Sequence, residues 1–306
     1  MRGRGVARRL AALPAGAAEW TFQRRVLARR GTAPGPQLFI LGLPRTGTTL
    51  IYQYIVHRCA VAYFTNSVGR RFHDPCRATW RDISAHPPYR SDFTSRYGRS
   101  EGVMAPREAG NFWLRFFDID AYQRFADVAP RKVEALRRAV RCVQALFGGA
   151  PFVSKNVKHL LRIDALARIF RDGHFLVVER DRSDVGLSIL RARREVGGSS
   201  EAWFSARPPE YDSLRGCDPV EQVCAQIVGL ERRLAADLAA LDAARVHRIH
   251  YDDFCAHPDA VITLVPEVFA DVGWRNEAVA SFEVRRSTAR DEKEARLLER
   301  LAREPR

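Results

Sequence analysis

The sequence predicts an α/β fold with a P-loop-like central parallel β-sheet flanked by helices. Two observations support this class. Short apolar runs, typical of strands buried on both faces, recur along the chain, and segments with helical periodicity separate them. The first apolar run, residues 38–41, also leads through a glycine-containing turn directly into a helix. With 306 residues, of which 46% are hydrophobic, the chain can bury such a core as one large domain or two small ones.

The composition limits the classes of partner. The formal net charge is +14 and comes almost wholly from arginine. Biased genomic composition explains much of this on the surface, but a basic balance still favours acidic partners: a polyanionic cofactor, an anionic substrate or non-specific nucleic acid. No run approaches 18 apolar residues, so no membrane span is predicted. The six cysteines form no CxxC motif and no Cys/His pair, which predicts reduced thiols in a cytoplasmic protein and neither a disulfide framework nor a metal site.

Residues 1–36 are predicted to form an N-terminal leader helix or arm. The segment begins rich in arginine and alanine, as a transit peptide would. Its second half nevertheless has an apolar stripe, which favours a helix that packs on the body of the protein. The stripe consists of Trp20, Phe22, Val26 and Leu27. Residues 37–290 then form the main domain, and residues 291–306 form a charged C-terminal helix.

The turn after the first strand has the composition of an anion site. Gly42, Pro44 and Gly47 form the turn, and the helix begins at Thr48. The first backbone N–H groups of a helix have no internal partner, and the helix dipole adds roughly half a positive charge at that end. Further donors come from the side chains of Arg45, Thr46, Thr48 and Thr49. The loop is therefore predicted to bind a phosphate group.

The kind of phosphate can be narrowed by comparison with the nucleoside-triphosphate loop, G-x-x-x-x-G-K-[ST]. The spacing from Gly42 to Gly47 is kept, but Thr48 occupies the position of the lysine that reaches the β- and γ-phosphates. ATP hydrolysis is therefore poorly supported. An ordinary glycine turn before a helix is the alternative, and the agreement of strand, loop and helix disfavours it.

Periodicity and turn residues predict the remaining elements in chain order. They are a second strand at 60–64, a turn-rich, substrate-facing insertion at 66–107, helical segments at 111–125 and 132–147, a strand and helix from 151 to 170, a strand at 174–179, a helix at 184–194, a long loop at 195–216, a helix at 217–241 and a strand at 246–250. The loop at 195–216 is either a plain connector or an acceptor-site lid with an aromatic wall at Trp203 and Phe204.

Three cations follow predicted strands. Arg45 lies after the first strand, Lys155 after the strand that begins near residue 151, and Arg180 directly after the strand at 174–179. Ligands of open parallel sheets bind outside the carboxyl ends of the strands, so one crevice is expected to collect all three side chains. Such a convergence of positive charge is costly unless an anion compensates it.

Two motifs, in this order, resemble the phosphate sites of sulfotransferases that use 3′-phosphoadenylyl sulfate (PAPS). Residues 44–50, P-R-T-G-T-T-L after a buried strand, resemble the 5′-phosphosulfate loop. Arg180 after an apolar strand, with Ser188 eight residues later, resembles the 3′-phosphate site. The likeness is to bacterial sulfotransferases related to tyrosylprotein sulfotransferases, and it covers about residues 37–60 and 150–260.

Four weaker matches accompany this pair. The segment from Lys155 to Leu160 resembles K-x-P-x-H-L, with Val157 in place of the proline, and Pro106 with Glu108 resembles a Pro-x-Glu segment. Tyr251 with His257-Pro258 resembles a Y-E-x-[FL]…H-P stretch. Arg285 and Arg286 lie where sulfotransferases often supply further cations for the 3′-phosphate.

The resemblance implies transfer of a sulfuryl group from PAPS to a hydroxyl, or less readily an amine, of a small-molecule, lipid or carbohydrate acceptor. PAP would be the product, and no metal would be needed. The implied ligands of the 5′-phosphate are Thr46, Gly47, Thr48, Thr49 and Leu50, and those of the 3′-phosphate are Arg180, Ser188, Arg285 and Arg286. Tyr251 would lie near the adenine. Arg45 and Lys155 would neutralise the charge that develops as the sulfuryl group leaves.

The catalytic base does not follow from the resemblance. Tyrosylprotein sulfotransferases place a Glu shortly after the helix that follows the loop, where residues 63–67 of this chain contain neither a carboxylate nor a histidine. Other families of this fold place a His two residues after the lysine, where this chain has Val157. Side-chain chemistry alone leaves three candidates, which are His73, Glu108 and His159. Glu108 is slightly favoured because it lies beside the insertion.

Three alternatives remain open from the sequence. A kinase-like nucleotide enzyme would bind magnesium-ATP, which Thr48 disfavours. A basic nucleic-acid binder would interleave basic residues with exposed aromatics or present a reading helix, and the sequence indicates neither. A binding-only relative would keep the fold without the base. We expect an enzyme of a bacterial cytoplasm with no specific nucleic-acid partner, and the sequence leaves its acceptor and oligomeric state open.

Overall fold

The fold is a three-layer α/β structure around a four-stranded parallel sheet. The computed structural model describes residues 3–31, 33, 35–96 and 98–305, with the backbone alone for residues 3–15. The strands are β1 (Gln37–Leu41), β2 (Phe152–Lys155), β3 (Gly173–Glu179) and β4 (Val246–His250), in the spatial order β2-β1-β3-β4. All three pairings are parallel, so the carboxyl ends of the strands meet at one edge. The predicted fold class is confirmed.

The helices fill both faces of this sheet and extend beyond it. They are α1 (Gly3–Arg30), α2 (Thr48–Arg58), α3 (Asn66–Arg70), α4 (Pro75–Ala85), α5 (Gly110–Trp113), α6 (Pro130–Leu146), α7 (Ile163–Ile169), α8 (Arg182–Gly197), α9 (Pro219–Ala239), α10 (Tyr251–Ala256), α11 (Ala260–Thr263), α12 (Pro266–Phe269) and α13 (Glu292–Ala302). Short 3₁₀ turns lie at Phe125–Asp127, Val157–Leu161, Tyr211–Leu214 and Ala243–Arg245.

The sheet separates two hydrophobic clusters because successive side chains of a strand point to opposite faces. On one face, Phe39, Phe175 and Val177 pack with the apolar sides of α6, α7, α8 and α9. On the other face, Ile40 and Leu176 pack with α2, α10, α11 and α12. Both faces are covered, as the apolar composition of the strands predicts.

Helix α1 is fixed to the body through its second half. Phe22, Val26 and Leu27 pack against the larger hydrophobic cluster, as predicted from the apolar stripe. Glu19 is only 2% exposed, and its carboxylate accepts hydrogen bonds from the backbone N–H groups of Cys76 (2.9 Å) and Arg77 (3.3 Å). These donors lie in the first turn of α4, so Glu19 caps a helix that is distant in sequence.

Helix α13, near the carboxyl terminus, is also fixed to the body of the protein. Its buried Leu297 and Leu301 belong to the larger cluster, and Glu294 binds Arg191 of α8 at 2.7 Å. The division of the chain into residues 1–36, 37–290 and 291–306 stays a prediction.

Three segments differ from the sequence-based expectation. The insertion at 66–107 contains α3 and α4, because Pro75 occupies the first turn of α4 rather than a loop. Residues 60–64 do not form a regular strand and contact β2 through one parallel bridge, between Ala62 and Phe152. The predicted helix at 111–125 shortens to α5, because its periodic aromatic residues are buried in an irregular segment instead.

The six cysteines are unpaired, and only Cys217 among them is exposed. No helix in the described part of the chain combines the length and the apolar character that a membrane span requires.

Candidate functional site

The loop between β1 and α2 has a backbone shape that favours anion binding. Gly47 has φ 92°, and Arg45 also adopts a positive φ of 73°, which is uncommon outside glycine and typical of functional turns. The N–H groups of Leu50 and Ile51 both bond to the Gly47 carbonyl, at 3.0 and 3.3 Å. The N–H groups that precede them therefore lie at the free, positive end of α2.

Gly47 is required by its neighbour as well as by its φ. A Cβ atom at this position would lie 2.2 Å from the ring of Tyr251, the first residue of α10. Tyr251 thus packs directly on the loop. Burial raises the pKa of its hydroxyl to about 12, so the hydroxyl is neutral at physiological pH.

The threonines of the loop have different surroundings. Thr46 is buried, and its hydroxyl donates to the Leu43 carbonyl at 2.9 Å, so this side chain holds the turn. Thr49 accepts a hydrogen bond of 3.0 Å from the Nζ of Lys155. Thr48 and Thr49 line the cleft in front of the loop, whereas Thr46 faces the cleft behind it.

A cleft of about 540 Å³ lies at the carboxyl edge of the sheet, in front of this loop. It collects Arg45 and Arg180, which follow β1 and β3, together with Lys155. Lys155 is the last residue of β2 rather than the residue after the strand, but the predicted convergence on one cleft is observed. The other candidate site residues that line it are Gly47, Thr48, Thr49, Leu50, Glu108, Tyr251 and Arg285. Thr46, Ser188, Arg286, His73 and His159 are not among its lining residues.

Lys155 and Glu108 form an ion pair on the floor of the cleft. The Nζ of Lys155 contacts Oε1 of Glu108 and also donates to Thr49. The Lys155 side chain is 7% exposed and that of Glu108 is 30% exposed, so the carboxylate is the partner that faces the solvent. Asn156 fixes the segment by donating from Nδ2 to the Glu108 carbonyl at 3.0 Å. The backbone of Gly98 lies close to this carboxylate: a Cβ atom at residue 98 would lie 3.2 Å from Glu108 Oε1.

Arg180 occupies the other end of the cleft and is held by four groups. Its guanidinium donates to the carbonyls of Arg45 (3.4 Å) and Arg285 (2.6 Å). It also lies 4.5 Å above the Tyr251 ring and 3.7 Å from Asp184 Oδ2. Its Nε is buried and has no hydrogen-bond partner among the described residues. One donor beside the cleft is therefore unsatisfied by the protein.

Arg45 and Ser188 contact each other: the Nε of Arg45 donates to Ser188 Oγ at 2.8 Å. Arg45 therefore lies on the Arg180 side of the cleft rather than beside Lys155. Arg286, the neighbour of Arg285, instead forms ion pairs with Asp184 (3.1 Å) and Asp252.

Asp184 is a site residue that the sequence analysis missed. Its side chain is 4% exposed, contacts Arg180 and Arg286, and accepts a hydrogen bond of 2.7 Å from the N–H of Ser287. Its position in the first turn of α8, four residues after Arg180, was the available signal.

The three candidate bases have different positions. His159 is fully buried, where Ser154 Oγ (3.1 Å) and Arg162 Nε (3.2 Å) contact its ring, and burial holds its pKa well below the usual value. His73 packs against Phe72 at 4.1 Å between ring centroids, outside the lining of the cleft. Among the described residues that line the cleft, the carboxylates are Glu108 and the exposed Glu283.

Aromatic side chains form one wall of the cleft. Phe93 and Phe282 meet there with their ring centroids 5.0 Å apart, and Phe204, from the loop at 195–216, also lines the cleft. Phe204 was predicted as part of an aromatic wall, whereas nothing in the sequence pointed to Phe93 or Phe282. Trp203, the other predicted aromatic residue of this wall, instead packs over the guanidinium of Arg193 at 4.6 Å.

A second cleft, of about 790 Å³, lies behind the loop between the sheet and helices α9 and α13. Its main charged groups neutralise each other in pairs, Arg182 with Glu231 and Arg248 with Glu179, each at 2.6 Å. Because these charges are paired, the second cleft is less favourable for binding an anion than the cleft in front of the loop.

Comparison with known proteins identifies the family. Residues 36–274 match the model of the sulfotransferase family. The omega-hydroxy-beta-dihydromenaquinone-9 sulfotransferases Stf3 of Mycobacterium bovis and Mycobacterium tuberculosis are each 24% identical over 261 residues, or 78% of this chain. The chain spans 64% of the length of these curated relatives.

Solved structures show the same fold. Sulfotransferase STF1 from Mycobacterium tuberculosis H37Rv superposes with a TM-score of 0.55 at 15% identity, covering 93% of this chain and 75% of that one. Sulfotransferase STF9 from Mycobacterium avium gives a TM-score of 0.50 at 18% identity, covering 95% and 73%. The family match extends over both phosphate motifs and the strands that carry them, as the sequence resemblance predicted. The chain belongs to the sulfotransferase family.

Proposed function

We propose that this protein transfers a sulfuryl group from PAPS to a hydroxyl group of a small-molecule or lipid acceptor. The observation that carries the proposal is one cleft that joins a lysine-free phosphate loop, the Lys155–Glu108 pair and Arg180. The name of the relative Stf3 describes a hydroxylated lipid as its acceptor, which supports a hydroxyl as the receiving group. We also propose a cytoplasmic location, supported by the six unpaired cysteines.

The residues of the cleft fit PAPS. The N–H groups at the start of α2 and the hydroxyls of Thr48 and Thr49 suit the 5′-phosphate. Arg180 suits the 3′-phosphate, because its buried Nε has no partner in the described protein and its guanidinium is already oriented. Tyr251, which also lines the cleft, would lie near the adenine. When bound, PAPS supplies a sulfuryl group activated by its attachment to a phosphate.

Lys155 and Glu108 are assigned to the transfer centre. Lys155 Nζ, fixed by Thr49, would stabilise negative charge on the departing phosphate oxygen. The Glu108 carboxylate would accept the proton of the acceptor hydroxyl as the new oxygen–sulfur bond forms. Its exposure toward the cleft and its lack of a competing role in the core favour it over His159.

Arg45 is reassigned within this proposal. The family resemblance implies a role for Arg45 at the transfer centre, but its contact with Ser188 favours a role at the phosphate end, beside Arg180. A pair of guanidinium groups there would bind phosphate oxygens by charge-assisted hydrogen bonds.

The aromatic wall narrows the class of acceptor. Phe93, Phe204 and Phe282 line the same cleft as the lysine and the carboxylate, and a carbohydrate would leave much of this apolar surface uncompensated. An acceptor with an apolar or aromatic body and a terminal hydroxyl fits better.

The nucleotide part of the proposal is tested by calorimetric titration with PAP and with ATP, each with and without magnesium. We expect metal-independent binding of PAP and much weaker binding of ATP. Preference for magnesium-ATP would overturn the proposal in favour of a kinase-like enzyme.

The catalytic part needs a separate test, in which PAP release from PAPS is measured over a panel of hydroxylated acceptors. Turnover that is lost in Glu108→Gln, with PAP affinity kept, is the expected result. Tight PAP binding without turnover on any acceptor would indicate a binding-only relative.

A further inference from the structure

Two histidines and a glutamate meet at the amino-terminal end of the sheet, opposite the cleft. His174 is the second residue of β3, His247 is the second residue of β4, and Glu267 lies in α12. The strand register pairs His247 with Leu176, and His174 lies two residues before Leu176. Because side chains alternate along a strand, both histidines point to the face that α12 covers.

The ligand atoms of this cluster are close to one another. Nδ1 of His174 and Nε2 of His247 are 3.0 Å apart. With one carboxylate oxygen of Glu267, these atoms all lie within 4.8 Å of one another. His174 is 9% exposed and Glu267 is exposed, so the cluster is closed toward the core and open toward solvent.

The donor set selects a class of metal ion. Two imidazoles and a carboxylate suit Zn²⁺ and neighbouring transition metals, whereas Mg²⁺ and Ca²⁺ require oxygen ligands. With bonds of about 2.0–2.1 Å, a tetrahedral Zn²⁺ places its ligand atoms roughly 3.3 Å apart, which small side-chain movements can reach from the observed separations.

We propose that His174, His247 and Glu267 form a binding site for one divalent transition-metal ion, with solvent completing the coordination. The ion would connect β3, the edge strand β4 and α12. Arg180 is six residues along β3 from His174, so the site lies about 20 Å from the phosphate end of the cleft. The proposed role is therefore structural and independent of sulfuryl transfer. The sequence offered no spacing signal, because the two histidines are 73 residues apart.

The test is equilibrium dialysis of untagged protein against Zn²⁺, with bound metal measured by elemental analysis, in a Cys217→Ser background that removes the exposed thiol. We expect one equivalent of Zn²⁺ bound with micromolar or lower Kd, and no competition by millimolar Mg²⁺. His174→Ala and His247→Ala should each weaken binding at least tenfold, and Glu267→Gln should weaken it severalfold. His257→Ala, which removes an exposed histidine elsewhere, should leave it unchanged.

Two further measurements separate the proposal from its rival, a histidine pair joined only by a hydrogen bond. Zn²⁺ at 100 times Kd should raise Tm by about 5 °C in the parent and not in the Glu267→Gln, His247→Ala double variant. Co²⁺ bound at the site should give the visible absorption of a four-coordinate ion. Absence of saturable binding, or one equivalent retained in the double variant, would overturn the proposal. The far-UV circular dichroism spectrum of each variant, compared with that of the parent, shows whether it is folded.

Discussion

Replacement of Arg180 by alanine tests the assignment of the 3′-phosphate end. A charge-assisted arginine–phosphate interaction is worth about 1.5–3 kcal/mol net, so PAP affinity should fall about ten- to a hundredfold. The substitution should also weaken PAP binding in a second, indirect way. Arg180 also donates to the carbonyls of Arg45 and Arg285, so its loss should free the loop that is proposed to bind the 5′-phosphate.

The two contributions are separated by a second ligand. 5′-AMP shares the adenosine and the 5′-phosphate with PAP but lacks the 3′-phosphate. Calorimetry of both ligands with the parent and with Arg180→Ala should show that the preference for PAP over AMP collapses in the variant. The matched control is Arg182→Ala, because Arg182 lies two residues away but pairs with Glu231 in the other cleft. Equal weakening of PAP and AMP would refute 3′-phosphate binding and leave Arg180 as an organiser of the loop.

Four further predictions concern catalysis and stability. Glu108→Gln should lower kcat by about 10²–10⁴ with PAP affinity unchanged, whereas Glu283→Gln on the same cleft should have little effect; similar losses in both would exclude Glu108 as the base. Gly47→Ala should destabilise the fold by about 1–3 kcal/mol in urea unfolding and weaken PAP binding, because the new methyl group meets the Tyr251 ring. The control is Gly148→Ala, because Gly148 also has a positive φ (74°) but has open space where the methyl group would lie, so it measures the backbone cost alone. Glu19→Ala should lower the free energy of unfolding by about 1–3 kcal/mol, because two N–H groups of α4 lose their acceptor, and an unchanged Tm would contradict that role. The pKa of His159 in the folded state lies below its value in the unfolded chain, so the unfolded chain binds the extra proton. The free energy of unfolding should therefore fall as pH drops below about 6.5. His159→Gln should reduce the slope of this pH dependence by at most about 1.4 kcal/mol per pH unit.

The strands and the phosphate loop were predictable because local composition determines them. Turn residues bound both the apolar run at 38–41 and the alternating segment Val246–His250. The observed strands β1 and β4 have nearly the same bounds as these two segments. Helix α4 was missed because Asp74-Pro75 reads as a turn, although proline is equally favourable in the first turn of a helix. At residues 60–64, tertiary context allowed only the bridge at Ala62.

The convergence of three cations on one cleft was predictable from the sequence, whereas other parts of the cleft were not. Arg45 and Arg180 follow strands and Lys155 is the last residue of one, and topology alone brings such residues to one edge. Phe93 and Phe282 reach the cleft from segments 189 positions apart, and nothing local marks either as a neighbour of the other. The choice among His73, Glu108 and His159 likewise depended on burial, which a single sequence does not encode at isolated polar positions.

The fixed orientation of Arg180 has a consequence for the entropy of ligand binding. A free arginine side chain loses roughly 2 kcal/mol of rotamer freedom when it is immobilised. Here the carbonyls of Arg45 and Arg285 and the Tyr251 ring impose that loss during folding, so an arriving ligand meets an arginine that is already ordered. The segment around Arg285 thereby influences affinity through the freedom of Arg180, and changes there that touch no ligand should loosen binding by returning that freedom to the side chain.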